Sequence, residues 1–97
     1  MIYRVLTKEE WQNAQQQDFY TTDSLATEGF IHCSGKEQVS GVLERFFPNQ
    51  RELLLIHIDE NKLTAPVKYE LALTVNEEFP HIYGILNLDA VVEVVEL

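Results

Sequence analysis

A chain of 97 residues has room for one domain with one core, and its 45% hydrophobic content is too high for a disordered segment. Sixteen acidic residues against seven basic ones leave a net charge of −9, which argues against a phosphate backbone or an anionic membrane surface as partner. No window approaches a membrane-spanning apolar run, the start at Met1 leads straight into a strand pattern with no secretory leader, and the lone Cys33 fits a reducing cytoplasm.

Ile2 to Leu6 is an apolar run with Arg4 inside it and reads as a first strand. Thr7 follows as a helix N-cap, with Glu10 three residues on to complete a capping box and Leu6 and Trp11 at the staple positions. The helix is expected over about Lys8 to Gln16, with Trp11 and Ala14 inward. Residues 17–28 show no regular period. Their aromatic and hydroxyl-rich stretch from Phe19 to Leu25 reads as a connecting loop in preference to a pocket lid.

Gly29 to Cys33 is the second expected strand, with Phe30 and His32 on one face and Ile31 and Cys33 on the other. Ser34 and Glu37 form a second capping-box pattern. Val39, Val42, Leu43 and Phe46 recur at helical spacing, and Pro48-Asn49 ends that helix. Glu52 to Ile58 is an aliphatic strand covered on both faces. Val67 to Val75 is another, with Tyr69 and Glu70 on opposite faces; Glu77-Glu78 marks a turn, and Val91 to Val95 is a last strand. The order β-α-β-α-β-β-β predicts an α+β domain, residues 1–97, built as a curved or split, mainly antiparallel sheet with two helices.

Two stretches carry polar groups where local packing calls for apolar ones. In Glu28-Gly29-Phe30-Ile31-His32-Cys33-Ser34, a strand runs into a helix opened by Ser34. Free N–H groups and a positive dipole end there suit an anion or polar ligand beside His32. Taken alone, His32 reads equally well as a hydrogen-bonded core histidine, and the adjoining Ser34 cap favours the functional reading. Phe79 to Asn87 has no period of 2 or 3.6 and concentrates aromatics, His81, Pro80 and Gly84, which reads as an ordered ligand wall. The two stretches are expected to meet in one pocket. Cys33 reads as a small buried hydrophobe and Ser34 as a cap with no nucleophile elbow around it. His32, His57 and His81 offer a weak three-histidine metal pattern, less favoured than a strand histidine at 57. An inward Glu70 near His32 is a candidate acid/base or hydroxyl-binding group.

Gly29-Phe30-Ile31-His32-Cys33-Ser34 and Phe79-Pro80-His81-Ile82-Tyr83-Gly84 together resemble the paired signatures of a bacterial domain-of-unknown-function family, number nine-five-two. Members of that family usually carry Pro after the Tyr-Gly pair, where Ile85 stands here. The resemblance implies an ADP-ribosyltransferase-like fold, with no established reaction. RNA 2′-phosphotransferases of that fold have a His-x-His-x-Ser strand, a helix, then an aliphatic strand ending Ile-Asp. His32-Cys33-Ser34, Val39–Phe46 and Ile56-His57-Ile58-Asp59 are similar to these in order.

The likeness implies a cleft for NAD or ADP-ribose between two sheet halves. Arg4 would stand where relatives carry a nucleotide-binding His and would meet phosphate or a ribose hydroxyl. His32 would meet a ribose hydroxyl, Ser34 would open the ligand-binding helix, and Tyr83 would stack on a planar ring. His81 would be a hydrogen-bond donor or general acid/base, and Glu70 the counterpart of the transferase Glu. The expected function is therefore an ADP-ribosyl- or phosphotransferase-like domain binding a small molecule. The rival readings are a ligand-sensing or protein-binding module that lacks the chemistry and, third, a three-His metal-dependent hydrolase.

Overall fold

A computed structural model describes residues 1–97. The chain is an α+β domain of short antiparallel sheets and a few helices. Strand β1 (Ile2–Thr7) leads into helix α1 (Lys8–Gln17), then β2 (Phe19–Tyr20), α2 (Asp23–Glu28) and β3 (Ile31–His32). Helix α3 (Val39–Phe46) precedes β4 (Leu53–Ile58), β5 (Val67–Ala72), β6 (Glu77–Ile82), β7 (Leu86–Asn87) and β8 (Val91–Glu96). Single 3-10 turns at Lys36–Gln38, Glu60–Lys62 and Leu88–Ala90 connect several of them. No helix is long and apolar enough to cross a membrane.

The strands form two three-stranded antiparallel sheets, β1-β4-β8 and β3-β6-β5, and a small β2-β7 pair. One bridge joins the two larger sheets: Tyr3 and Ser34 exchange both backbone hydrogen bonds, each 2.8 Å. On either side of that point the sheets have no backbone pairing, so the sheet is split. Ile2, Leu6, Ile56 and Ile58 of one sheet meet Ile31 and Ile82 of the other in a single core. Ala14 of α1 and Tyr20 of β2 close it. The outer edge of β8 is unpaired, and Val92 and Val94 along it are exposed.

Local signals explain much of this. Thr7 Oγ1 accepts from Glu10 N–H at 3.0 Å, and Glu10 Oε1 accepts from Thr7 N–H at 3.1 Å, a complete capping box that starts α1. The helix ends on Asp18 in the left-handed region, φ 69°.

Four sequence expectations need correction. There are three α-helices, not two: residues 23–28 form α2, too short to show a 3.6 period, ended by Gly29 at φ +91°. Gly29 is thus a helix cap and does not start a strand, and β3 is reduced to Ile31–His32. The turn expected at Glu77-Glu78 falls at residues 73–76, with Asn76 at φ 55°. The stretch read as an irregular wall is strand in its first half, because Phe79 to Ile82 pair with β5 and His81 and Ile82 also pair with β3. Gly84 is required by proximity: an added Cβ would sit 2.7 Å from the Ala65 Cβ.

Candidate functional site

His32 and His81 are direct cross-strand partners in β3 and β6. Their side chains therefore leave the sheet on one face, and the ring centroids lie 5.1 Å apart, edge to face. Phe30, two residues before His32, is on that face too. It stacks on His81 at 4.0 Å with the rings 13° apart and meets His32 edge-on at 4.9 Å.

Each imidazole is tied to a carboxylate. His32 Nε2 lies 3.0 Å from Glu28 Oε2, and His81 Nδ1 lies 2.7 Å from Glu70 Oε1. An ionised carboxylate only accepts, so these nitrogens carry the protons. Nδ1 of His32 and Nε2 of His81 are then the acceptors of the neutral rings. The Tyr83 hydroxyl also donates to Glu70 Oε1, at 2.5 Å. The hydrogen bonds from Tyr83 and then His81 hold the Glu70 carboxyl below its ordinary range, and the same Glu70 contact raises the Tyr83 phenol. His32 is half exposed, whereas the His81 side chain is 12% exposed.

Arg4 lies at the split between the sheets. Its Nη1 donates to the His32 carbonyl at 2.8 Å and its Nε to the Tyr20 hydroxyl at 3.2 Å. The Tyr20 hydroxyl in turn donates to Glu10 Oε2 at 2.9 Å. Burial pushes the Tyr20 phenol up to about 12. The hydroxyl partner that a core-side arginine needs is thus supplied within the chain. Two hydrogen bonds leave guanidinium donors over.

A cleft of about 520 Å³ opens at this split, within the range of about 300–1,000 Å³ that small-ligand sites occupy. Its polar lining residues are Arg4, His32, Ser34 and His81, together with Tyr3. Its apolar lining includes Val42 and Phe46 of α3, Leu71 of β5 and Phe79 of β6. No Asp or Glu lines it.

The structure thus brings His32, His81, Arg4 and Ser34 to one cleft, and places Glu70 and Tyr83 behind His81, off the cleft wall. The role of Ser34 changes. It does not cap a helix: its backbone bridges to Tyr3, and the turn at Lys36–Gln38 starts from Gly35, whose N–H is taken by Gln38 Oε1 at 2.8 Å. Gln38 N–H bonds Gly35 O and Val39 N–H bonds Lys36 O, so the turn ahead of α3 is opened by Gly35 and not by Ser34.

Tyr83 does not offer an open face either. Lys68 Nζ sits 4.9 Å from its ring centre and Phe30 leans against it at 5.2 Å. His57 lies apart from the other two histidines, edge-on to Tyr3 at 4.8 Å, and no three His, Cys, Asp or Glu side chains cluster as metal ligands. Cys33 is a buried core residue whose thiol burial raises to about 12.

Sequence reading missed Glu28, Lys68, Tyr20 and Glu10 as parts of this network. Glu28 had no local signal, since it ends α2 while His32 lies in β3, so their four-residue spacing is not a helical pair. Tyr20 had none, because only the β2-β7 pairing brings it under Arg4.

Residues 5–94 match the model of a family described as a protein of unknown function, DUF952. No curated protein matches the chain. The chain is similar to the crystal structure of protein CC0527 from Caulobacter crescentus, at 31% identity and a TM-score of 0.87 over 99% of this chain and 84% of that one. It is also similar to a double methionine variant of the same protein, at 30% identity, a TM-score of 0.87 and the same coverage. The solution structure of CC0527 gives 31% identity and a TM-score of 0.82 over 99% of this chain and 83% of that one. With the match running through nearly the whole chain, and through both the His32 and the His81 strand, this chain belongs to the DUF952 family.

Proposed function

We propose that this chain binds a small anionic ligand of the nucleotide class, ADP-ribose or NAD, in the cleft between its two sheets. One observation carries the reading. In a protein of net charge −9, the cleft wall holds Arg4, His32 and His81 and no carboxylate. Carboxylates are absent from this wall, whereas a second concavity carries Glu44, and their absence favours an anion here over bulk repulsion. The two imidazole acceptors suit ligand hydroxyls, and the remaining Arg4 donors suit phosphate. The likeness to ADP-ribosyltransferase-like domains, whose nucleotide lies between two sheet halves, supports ADP-ribose and NAD as the ligands to try.

The same observation favours a binding or sensing module over a transferase. A transferase needs a carboxylate at the reacting carbon, and Glu70 is spent on His81 and Tyr83 outside the cleft wall. Titration calorimetry with ADP-ribose, NAD and AMP at millimolar concentration tests the reading, with the His32→Ala variant alongside. ADP-ribose or NAD is expected to bind, His32→Ala to weaken that binding, and NAD to be recovered without nicotinamide release. Binding of none of the three ligands overturns the reading in favour of a protein-binding module, and nicotinamide release overturns the non-catalytic part.

A further inference from the structure

His81 lines the cleft with a ring that is held from outside it. In the pairing of β5 with β6, Lys68 stands opposite His81 and Glu70 opposite Phe79, so Glu70 is a diagonal neighbour of His81 on the same sheet face. Glu70 Oε1 lies 2.7 Å from His81 Nδ1 and also accepts from the Tyr83 hydroxyl at 2.5 Å. Phe30 covers one face of the imidazole, stacked at 4.0 Å. The His81 side chain is mostly buried, so water competes little for Nδ1. The other such pair, His32 with Glu28, is half exposed on both sides.

Resting on the nucleotide reading above, we propose that Glu70 is a positioning residue: it holds the His81 proton on Nδ1 and so leaves Nε2 as an acceptor for a hydroxyl of the ligand. Which nitrogen of a neutral imidazole carries the proton is set by its hydrogen-bond partners, and an ionised carboxylate can only accept. The charge of Glu70 works the other way, because a carboxylate near the cleft repels an anion. The two effects differ in sign. Removing Glu70 tightens anion binding if only its charge matters, and weakens it if Glu70 acts through His81.

The test reads the His81 tautomer by nitrogen NMR of the full chain without ligand, and the affinity for ADP-ribose by calorimetry. Glu70→Ala is expected to move the proton off Nδ1 and to weaken ADP-ribose up to about tenfold, the worth of one hydrogen bond. Glu70→Gln loses the charge but keeps an acceptor oxygen for His81 and Tyr83, and should keep both the tautomer and the affinity. In a His81→Ala background, Glu70→Ala should cost nothing further. Glu70 is partly exposed, so these variants keep the fold. Four results would each overturn the positioning role and leave the nucleotide reading standing: an unmodified chain protonated on Nε2, a Glu70→Ala variant that binds as well or better, a tautomer and an affinity that do not change together, or a further loss in the His81→Ala background. No binding of ADP-ribose by the unmodified chain would overturn both.

Discussion

Glu10 binds Tyr20 with the one carboxylate oxygen that its helix cap leaves free. Oε1 closes the Thr7 capping box and Oε2 accepts the Tyr20 hydroxyl proton, so the cap of α1 is wired through Tyr20 to Arg4 and the cleft. Tyr20→Phe removes both bonds and leaves Arg4 Nε without its partner. A buried donor left unsatisfied costs roughly 1–3 kcal/mol, and a loss in that range is expected in urea unfolding. Ligand affinity should fall as well, because Arg4 loses the contact that aims it. A variant as stable as the unmodified chain would show that the network does not hold Arg4.

Replacing His32 should cost little in folding. Its side chain is 48% exposed and its packing is with rings at the surface of the face, whereas Ile56 is fully buried in the centre of β4. Ile56→Ala is expected to lose roughly 2–5 kcal/mol and His32→Ala under about 1 kcal/mol. Thermal unfolding of the two variants compares them directly. Equal losses would make His32 a core residue and remove it from the site.

Alkaline pH should destabilise the fold through Cys33 and Tyr20. Both are neutral when protonated, and burial raises each to about 12 in the folded chain, from 9.0 and 10.0 respectively. The unfolded chain gives up these protons first, so their contribution is complete below about pH 9 and declines as pH climbs toward 12. Guanidinium midpoints taken from pH 8 to pH 11 should fall steadily, and Cys33→Ala should delay the onset. A flat profile over that interval would contradict the burial of both groups.

No appreciable binding of RNA or DNA is expected at physiological salt. Neutralising several phosphates takes a basic stripe, and seven cations among sixteen anions do not supply one. A gel shift with a mixed tRNA pool at micromolar protein checks this; a salt-sensitive shift would refute it.

The parts of the fold that were legible in the sequence are those set by neighbours along the chain. The Thr7–Glu10 cap is a three-residue signal, and Val39, Val42, Leu43 and Phe46 span two helical turns. The Glu52–Ile58 run announced β4 within a residue. Where the reading failed, a distant partner decided. Phe79 to Asn87 shows no strand period, yet β6 runs through Pro80, whose carbonyl accepts from Cys33 N–H at 3.0 Å while β3 has ended one residue earlier. Ser34 matched a cap pattern, but pairing with Tyr3 claimed its backbone. At the site, alternation put Phe30 with His32, while the facing of His32 and His81 depends on a register between β3 and β6 that no local pattern records.

The bare outer edge of β8 sets how this protein behaves in crowded solution. Val-Val-Glu-Val-Val-Glu is the kind of segment that templates stacking of further chains, and it ends its sheet with nothing over it. Two exposed carboxylates, Glu93 and Glu96, interrupt the run, and Lys8 pins Glu96 at 2.5 Å. They act as gatekeepers by mutual repulsion between molecules, a protection that lasts only while they are ionised. Acidification through the carboxylate range disarms the gate and the wider negative charge together. Light scattering should then rise with a gain in β-sheet signal, and earlier in a Glu93→Gln variant.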